Sequence, residues 1–214
     1  MKLELYFGPG ACSFVPHVVL ESLKTPFEPK LVKLHKGEHK SAEYLAVNPH
    51  GQVPVLVVDG KPLSQIMAIC TYLDAAFPDA GLLPREAWAR AQALSQLAWM
   101  NTTPHPTFTR VFFPDRFADS EGARAEVKAR AQKDFRSYLE RVQGWIANAR
   151  PYWLGERITF HDAYAFTLLR WGGIAGIDPK SLPAYHAYIQ RVMQHPAVAA
   201  VLARERIGLD TYKG

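Results

Sequence analysis

Only two cysteines occur in the 214 residues, Cys12 and Cys70, and neither belongs to a CxxC pair or to a metal-ligand spacing. That argues against a disulfide scaffold and a structural zinc, and for a reducing compartment. No apolar run approaches the ~20 residues a bilayer span needs, and Met1-Lys2-Leu3-Glu4 is charged where a signal segment would be apolar. A soluble, cytoplasmic protein with no metal and no membrane partner is expected. Basic blocks are missing as well. The formal net charge is +5, but lysine and arginine are interleaved with aspartate and glutamate, so no nucleic-acid partner is expected and a small anionic ligand suits the surface at least as well. Internal repeats and low-complexity tracts are absent, while a hydrophobic content of 48% provides for a packed core.

What is present has a clear order. Leu3 to Phe7 reads as a strand running into the tight loop Gly8-Pro9-Gly10. Ser13 can cap the helix that follows, Pro16 is tolerated in its first turn, and Val18, Val19, Leu20 and Leu23 form its apolar face. Residues 28–34 read as a second strand, which a crossover helix makes parallel to the first. A polar segment, a short helix near 42–46 and a strand over 53–58 come next. Asp59-Gly60 is a two-residue hairpin signal, so residues 61–63 return antiparallel. Ser64 then opens a helix that stops at Pro78. The resulting βαβαββα order over residues 1–78 is that of the thioredoxin-like fold, a mixed sheet with helices on both faces. Residues 79–85 read as a linker and 86–214 as an all-helical domain, so the fold class is α/β plus all-α. Within the second domain, Thr159-Phe160-His161-Asp162 is a capping-box start whose value is to folding.

Four places carry possible chemistry. Pro54 stands at the mouth of the apolar run 53–58, where a ladder residue should donate an amide hydrogen. It either starts a strand as a trans proline or forms a cis Val53-Pro54 bond that leaves the Val53 amide and carbonyl free for an extended, peptide-like ligand. Cys12 lies at or just before a helix N-terminus, where free amides and the helix dipole should stabilise a thiolate and lower its pKa. Ser13 and Tyr6 are alternative donors to a sulfur. The helix start at Ser64-Gln65-Ile66 can hold a carboxylate on its amides, with the Gln65 side chain beside it.

Taken together, these stretches resemble the cytosolic glutathione transferases along the whole chain. Pro9-Gly10-Ala11-Cys12-Ser13 with Pro16-His17 resembles the bacterial beta class, in which the matching cysteine faces glutathione and can form a mixed disulfide. Asn48-Pro49-x-Gly51-x-Val53-Pro54-Val55-Leu56 is the most specific match. It implies that Pro54 is cis and that Val53 pairs with the cysteinyl unit of glutathione. Leu63 to Ile69 matches the segment that grips the γ-glutamyl group through Gln65 and Ile66, although Ile66 lacks the hydroxyl common at that position. A histidine near the sulfur is usual in the beta class; an ungapped count puts Phe108 there, with His105 three residues earlier.

His39 is similar in setting to a theta-class histidine that binds the glycine carboxylate, with Lys40 and Gln52 as alternatives. The resemblance implies glutathione as co-substrate, a homodimer, and a pocket for a small, largely apolar electrophile that Phe108, Phe112 and Trp171 can line. Detoxification by conjugation is the expected activity. The alternatives are a thiol-disulfide oxidoreductase or isomerase, and a non-catalytic ligand-binding member, to which Ile66 points.

Overall fold

Four strands form a sheet in the spatial order β2-β1-β3-β4. In the computed structural model, which describes residues 1–213, β1 is Leu3–Phe7, β2 Glu28–Leu31, β3 Val55–Val58 and β4 Lys61–Ser64. β1 runs parallel to β2 and antiparallel to β3, with Leu5 opposite Leu56, and β3 pairs antiparallel with β4. The hairpin is made as its sequence requires: Asp59 and Gly60 both take positive φ, +47° and +82°. β2 is shorter than the expected 28–34. Val32 still donates its amide to Phe7, but residues 34–36 then coil into a 3-10 turn.

The alternation of β1 decides which layer each side chain enters. Leu3, Leu5 and Phe7 are buried on the face covered by α1 (Phe14–Ser22) and α3 (Ile66–Ala76). Tyr6 points the other way. It packs edge-on against Tyr44, 5.8 Å between ring centroids, in a small cluster with Val32 and Val55 under α2 (Ala42–Val47).

The remaining α-helices are α4 (Ala87–Thr102), α5 (Pro104–Phe112), α6 (Glu121–Ile146), α7 (Phe160–Ile174), α8 (Pro183–Met193) and α9 (Pro196–Glu205). Pro104 follows the end of α4 and so sits where a missing amide costs nothing, in the first turn of α5. α7 is buried along almost its whole length, and residues 14–20 of α1 are buried between the sheet and α7 and α9. Phe14 against Phe166, 4.6 Å between ring centroids, is part of a core that runs unbroken from the sheet into the helices. Among the described residues, no helix is long and apolar enough to cross a membrane, and no cluster of three metal-ligating side chains exists.

Candidate active site

The loop between β1 and α1 is tied down from both ends. Gly8 and Ser13 close it: the Ser13 hydroxyl donates to the Gly8 carbonyl and accepts the Gly8 amide, both at 3.1 Å. This corrects two expectations for Ser13. It occupies the N-cap position of α1 but makes no side-chain cap bond, and its hydroxyl, fully buried, is spent inside the loop rather than offered to a sulfur. Gly10, with φ of +69°, has its carbonyl bound by the Trp171 indole at 3.0 Å and its amide by the Glu205 carboxylate at 2.9 Å.

Cys12 sits within this loop as a buried free thiol, its sulfur 3.5 Å from the Val53 carbonyl. Its pKa is pushed up to about 12, not lowered. Burial is the dominant cause, and it outweighs the helix-start amides of Cys12 and Ser13, which pull the other way. The group at this position is a neutral S–H donor. The Val53 carbonyl expected to stay free for a ligand is therefore engaged by the thiol. Val53-Pro54 is a cis bond, and so is Arg150-Pro151, which the sequence reading did not single out.

The segment leading to Val53 is held by its own polar groups. The Tyr44 hydroxyl and the Asn48 amide both donate to the Gln52 carbonyl at 2.7 Å, while Asn48 Oδ1 accepts the His50 amide. Gly51, at φ +60°, leaves room for the chain to pass: a Cβ there would lie 2.9 Å from the His39 carbonyl oxygen. The Gln52 side chain is exposed, as is Lys40. His39 is half-buried, with Nδ1 buried and unpartnered, and burial, then the charges of Lys40 and Arg116, lowers its pKa. At neutral pH it is a hydrogen-bonding group without charge.

α3 starts two residues later than expected, at Ile66. Ser64 is the last residue of β4, and Gln65 takes the N-cap position with φ of +73° and no side-chain cap bond. Among the described residues, no side chain thus hydrogen-bonds the opening amides of α3. The Ile66 side chain is buried in the core, so only its backbone can face a ligand.

Across from these loops, α5 and α7 bring the three aromatic residues singled out from the sequence together. Phe108 stacks on Trp171 with centroids 4.5 Å apart and planes 8° from parallel, and Phe112 continues the stack at 5.7 Å. Phe108 and Trp171 are buried; Phe112 is exposed. His105 packs edge-on against Trp171 at 4.9 Å, and its Nδ1 lies 2.8 Å from the Tyr164 hydroxyl, which in turn donates to Asn101. Burial lowers its pKa to about 4, so the ring is neutral at physiological pH.

Tyr6, by contrast, lies on the sheet face away from Cys12. Tyr164, Glu205 and the Gly10 contact of Trp171 escaped the sequence reading. Their partners are 59, 195 and 161 residues away, and no local pattern marks them.

Two family models match the chain: "Glutathione S-transferase, N-terminal domain" over residues 1–75 and "Glutathione S-transferase, C-terminal domain" over residues 94–196. A curated relative, Glutathione S-transferase GST-4.5 of Xanthomonas campestris pv. campestris, is 35% identical over 95% of this chain and 98% of its own. Among solved structures, a glutathione transferase homolog from Sulfitobacter with bound glutathione superposes with a TM-score of 0.88 at 28% identity, covering 96% of this chain and 99% of the other. A bacterial beta class transferase from Sphingomonas chungbukensis gives 0.81 at 31% identity, with coverage of 94% and 98%.

Proposed function

The chain belongs to the glutathione S-transferase family and is a glutathione transferase, and from that premise we propose which residues carry the reaction and on what class of substrate. Glutathione is the co-substrate. It lies along the Val53 segment, with its cysteinyl backbone on Val53 beside Pro54. Its γ-glutamyl carboxylate sits on the opening amides of α3 at Ile66, next to the Gln65 side chain. Its glycine end lies toward His39, Lys40 and Gln52, and Lys40 supplies the charge because His39 is neutral. Residues 1–78 form the glutathione domain, 79–85 join it to the helices, and 86–214 supply the electrophile pocket.

The observation that carries this reading is the meeting of the Cys12 thiol with the Val53 carbonyl, in a loop whose Gly10 is bonded to a wall of the aromatic stack. The Cys12 S–H turns from Val53 to the glutathione sulfur and stabilises its thiolate as a hydrogen-bond donor. The thiol proton leaves to bulk water, because His105, held near pKa 4 by burial, is too weak a base to take it and serves only as a neutral hydrogen-bonding group beside Trp171. The thiolate then attacks the electrophilic carbon held against Phe108, Phe112 and Trp171; a carbon–sulfur bond forms and the leaving group departs with its electron pair. A planar, largely apolar electrophile fits that wall.

The raised pKa of Cys12 speaks against the oxidoreductase alternative, because thiol-disulfide exchange needs the thiolate. With the Ile66 side chain buried in the core, the catalytic reading relies on its backbone amide in place of the missing hydroxyl. A homodimer working in the cytoplasm in detoxification completes the proposal.

Retention on immobilised glutathione, with conjugation of 1-chloro-2,4-dinitrobenzene, tests it. Retention without conjugation, together with Cys12-dependent reduction of mixed disulfides, would replace it with the oxidoreductase reading. Native Cys12 should resist iodoacetamide up to about pH 10, given its pKa near 12; rapid labelling at pH 7 contradicts its role as a neutral donor.

A further inference from the structure

We propose that Glu205, at the end of the last helix, is a positioning residue of the glutathione site: it fixes the Gly10 amide, and through it the loop that carries Cys12. This rests on the reading of that loop as the one that faces the glutathione sulfur. The side chains of Glu205 and His17 are both completely buried. One carboxylate oxygen accepts the Gly10 amide at 2.9 Å, and the other lies 2.7 Å from His17 Nδ1.

A third residue settles which way these bonds run. Arg204 Nη1 lies 3.1 Å from His17 Nε2, and a guanidinium can only donate. His17 Nε2 is therefore the acceptor, Nδ1 carries the proton, and the imidazole is a neutral donor to Glu205. Arg204 is held in turn by Glu21 at 2.7 Å. The carboxylate thus receives two donors, both from the N-terminal domain, as a buried anion requires.

The same glycine is gripped from α7. Trp171 donates to its carbonyl at 3.0 Å, and a Cβ at Gly10 would come within 2.7 Å of the Arg170 guanidinium. Cys12 follows two residues later, with the Ser13–Gly8 closure making the loop a small rigid unit. The distance between the thiol and Val53 therefore depends on where the helical domain holds Gly10.

Glu205→Gln keeps the shape of the side chain but puts one acceptor and one N–H₂ where two donors converge, so one donor at Gly10 or His17 meets another donor. The expected result is a KM for glutathione raised on the order of tenfold, with the KM for 1-chloro-2,4-dinitrobenzene changed by less than about twofold. A contact that only stabilised the fold would not separate the two.

The double variant E205Q/R204M adds a sharper criterion. Without the guanidinium, His17 is free to move its proton to Nε2 and accept at Nδ1 from the new amide, whose oxygen serves Gly10. Much of the lost glutathione affinity should return. An unchanged glutathione KM in E205Q, or a double variant worse than the single one, overturns the proposal. Should E205Q not fold, hydrogen exchange in the unaltered protein decides: a Gly10 amide as protected as core amides supports the contact, and exchange at the rate of an open loop overturns it. An unaltered protein that is not retained on immobilised glutathione overturns the functional reading instead, whereas retention with unchanged KM in E205Q overturns only this proposal.

Discussion

α3 and α7 begin with the same unmet backbone donors and dispose of them in opposite ways. At the start of α7 the protein supplies its own anion. Asp162 accepts the Thr159 amide at 2.7 Å, the Thr159 hydroxyl at 2.9 Å, the Trp153 amide at 2.9 Å and the Tyr188 hydroxyl, and the capping box is complete. Burial pushes the Asp162 carboxyl up against those hydrogen bonds, so the arrangement is tight but closed to ligands. At the start of α3, Gln65 is exposed, holds a positive φ and caps nothing. One helix end spends its electrostatics on folding; the other leaves them for the carboxylate of a ligand.

Substitutions at the two starts should therefore separate stability from binding. The largest effect belongs to Asp162→Ala, which strands four buried donors: a loss of about 3–5 kcal/mol in urea unfolding, with glutathione KM unchanged in the protein that folds. A large KM change would break the comparison.

Acid should act on the closed start as well. His161, in the first turn of α7, and His105, in the first turn of α5, are both held near pKa 4 by burial, against an ordinary value of 6.5. Between those values the unfolded chain binds protons that the folded one does not. Stability is thus fully present above pH 6.5 and falls as the pH drops toward 4, by up to about 1.4 kcal/mol per pH unit for each histidine. Thermal melts at pH 7 and pH 5 measure the slope, and His161→Asn should remove its own share.

Ile66→Ser, at the open start, tests whether this position serves through its backbone. Loss of the buried side chain should cost about 2 kcal/mol of stability, with a smaller effect on glutathione binding than on folding. A large gain in affinity would show that a hydroxyl there does reach the ligand. The smallest effect is expected at Gln65→Gly. Relief of the positive φ should raise stability by up to about 1 kcal/mol, while retention on immobilised glutathione weakens through loss of the side chain. Loss of both would mean that Gln65 is part of the fold's closure, as Thr159 is.

Local patterns carried most of the architecture. The two-residue period of Leu3 to Phe7, the Asp59-Gly60 turn and the Thr159–Asp162 box all act within a few residues, and all appear where expected. Boundaries moved where a neighbouring element overrode propensity, as when Ser64 joined β4 instead of opening α3. The aromatic residues Phe108, Phe112 and Trp171 were legible as candidates, because α5 spaces the first two four residues apart and a large ring in a helix must go somewhere.

Composition and short-range pattern thus determined the two-domain order, the helix and strand faces, and the family stretch that runs through Pro54. Tertiary structure alone decided the chemistry of the loop. The sign of the Cys12 shift reversed because burial outweighs the helix-start amides. Tyr6 left the site because the sheet puts it under α2, and Gly10 gained Glu205 and Trp171 from 195 and 161 residues away. Hydrogen bonds within a turn are written into neighbouring residues; desolvation and long-range contact depend on everything that packs around a group, and so become readable only once the chain has folded.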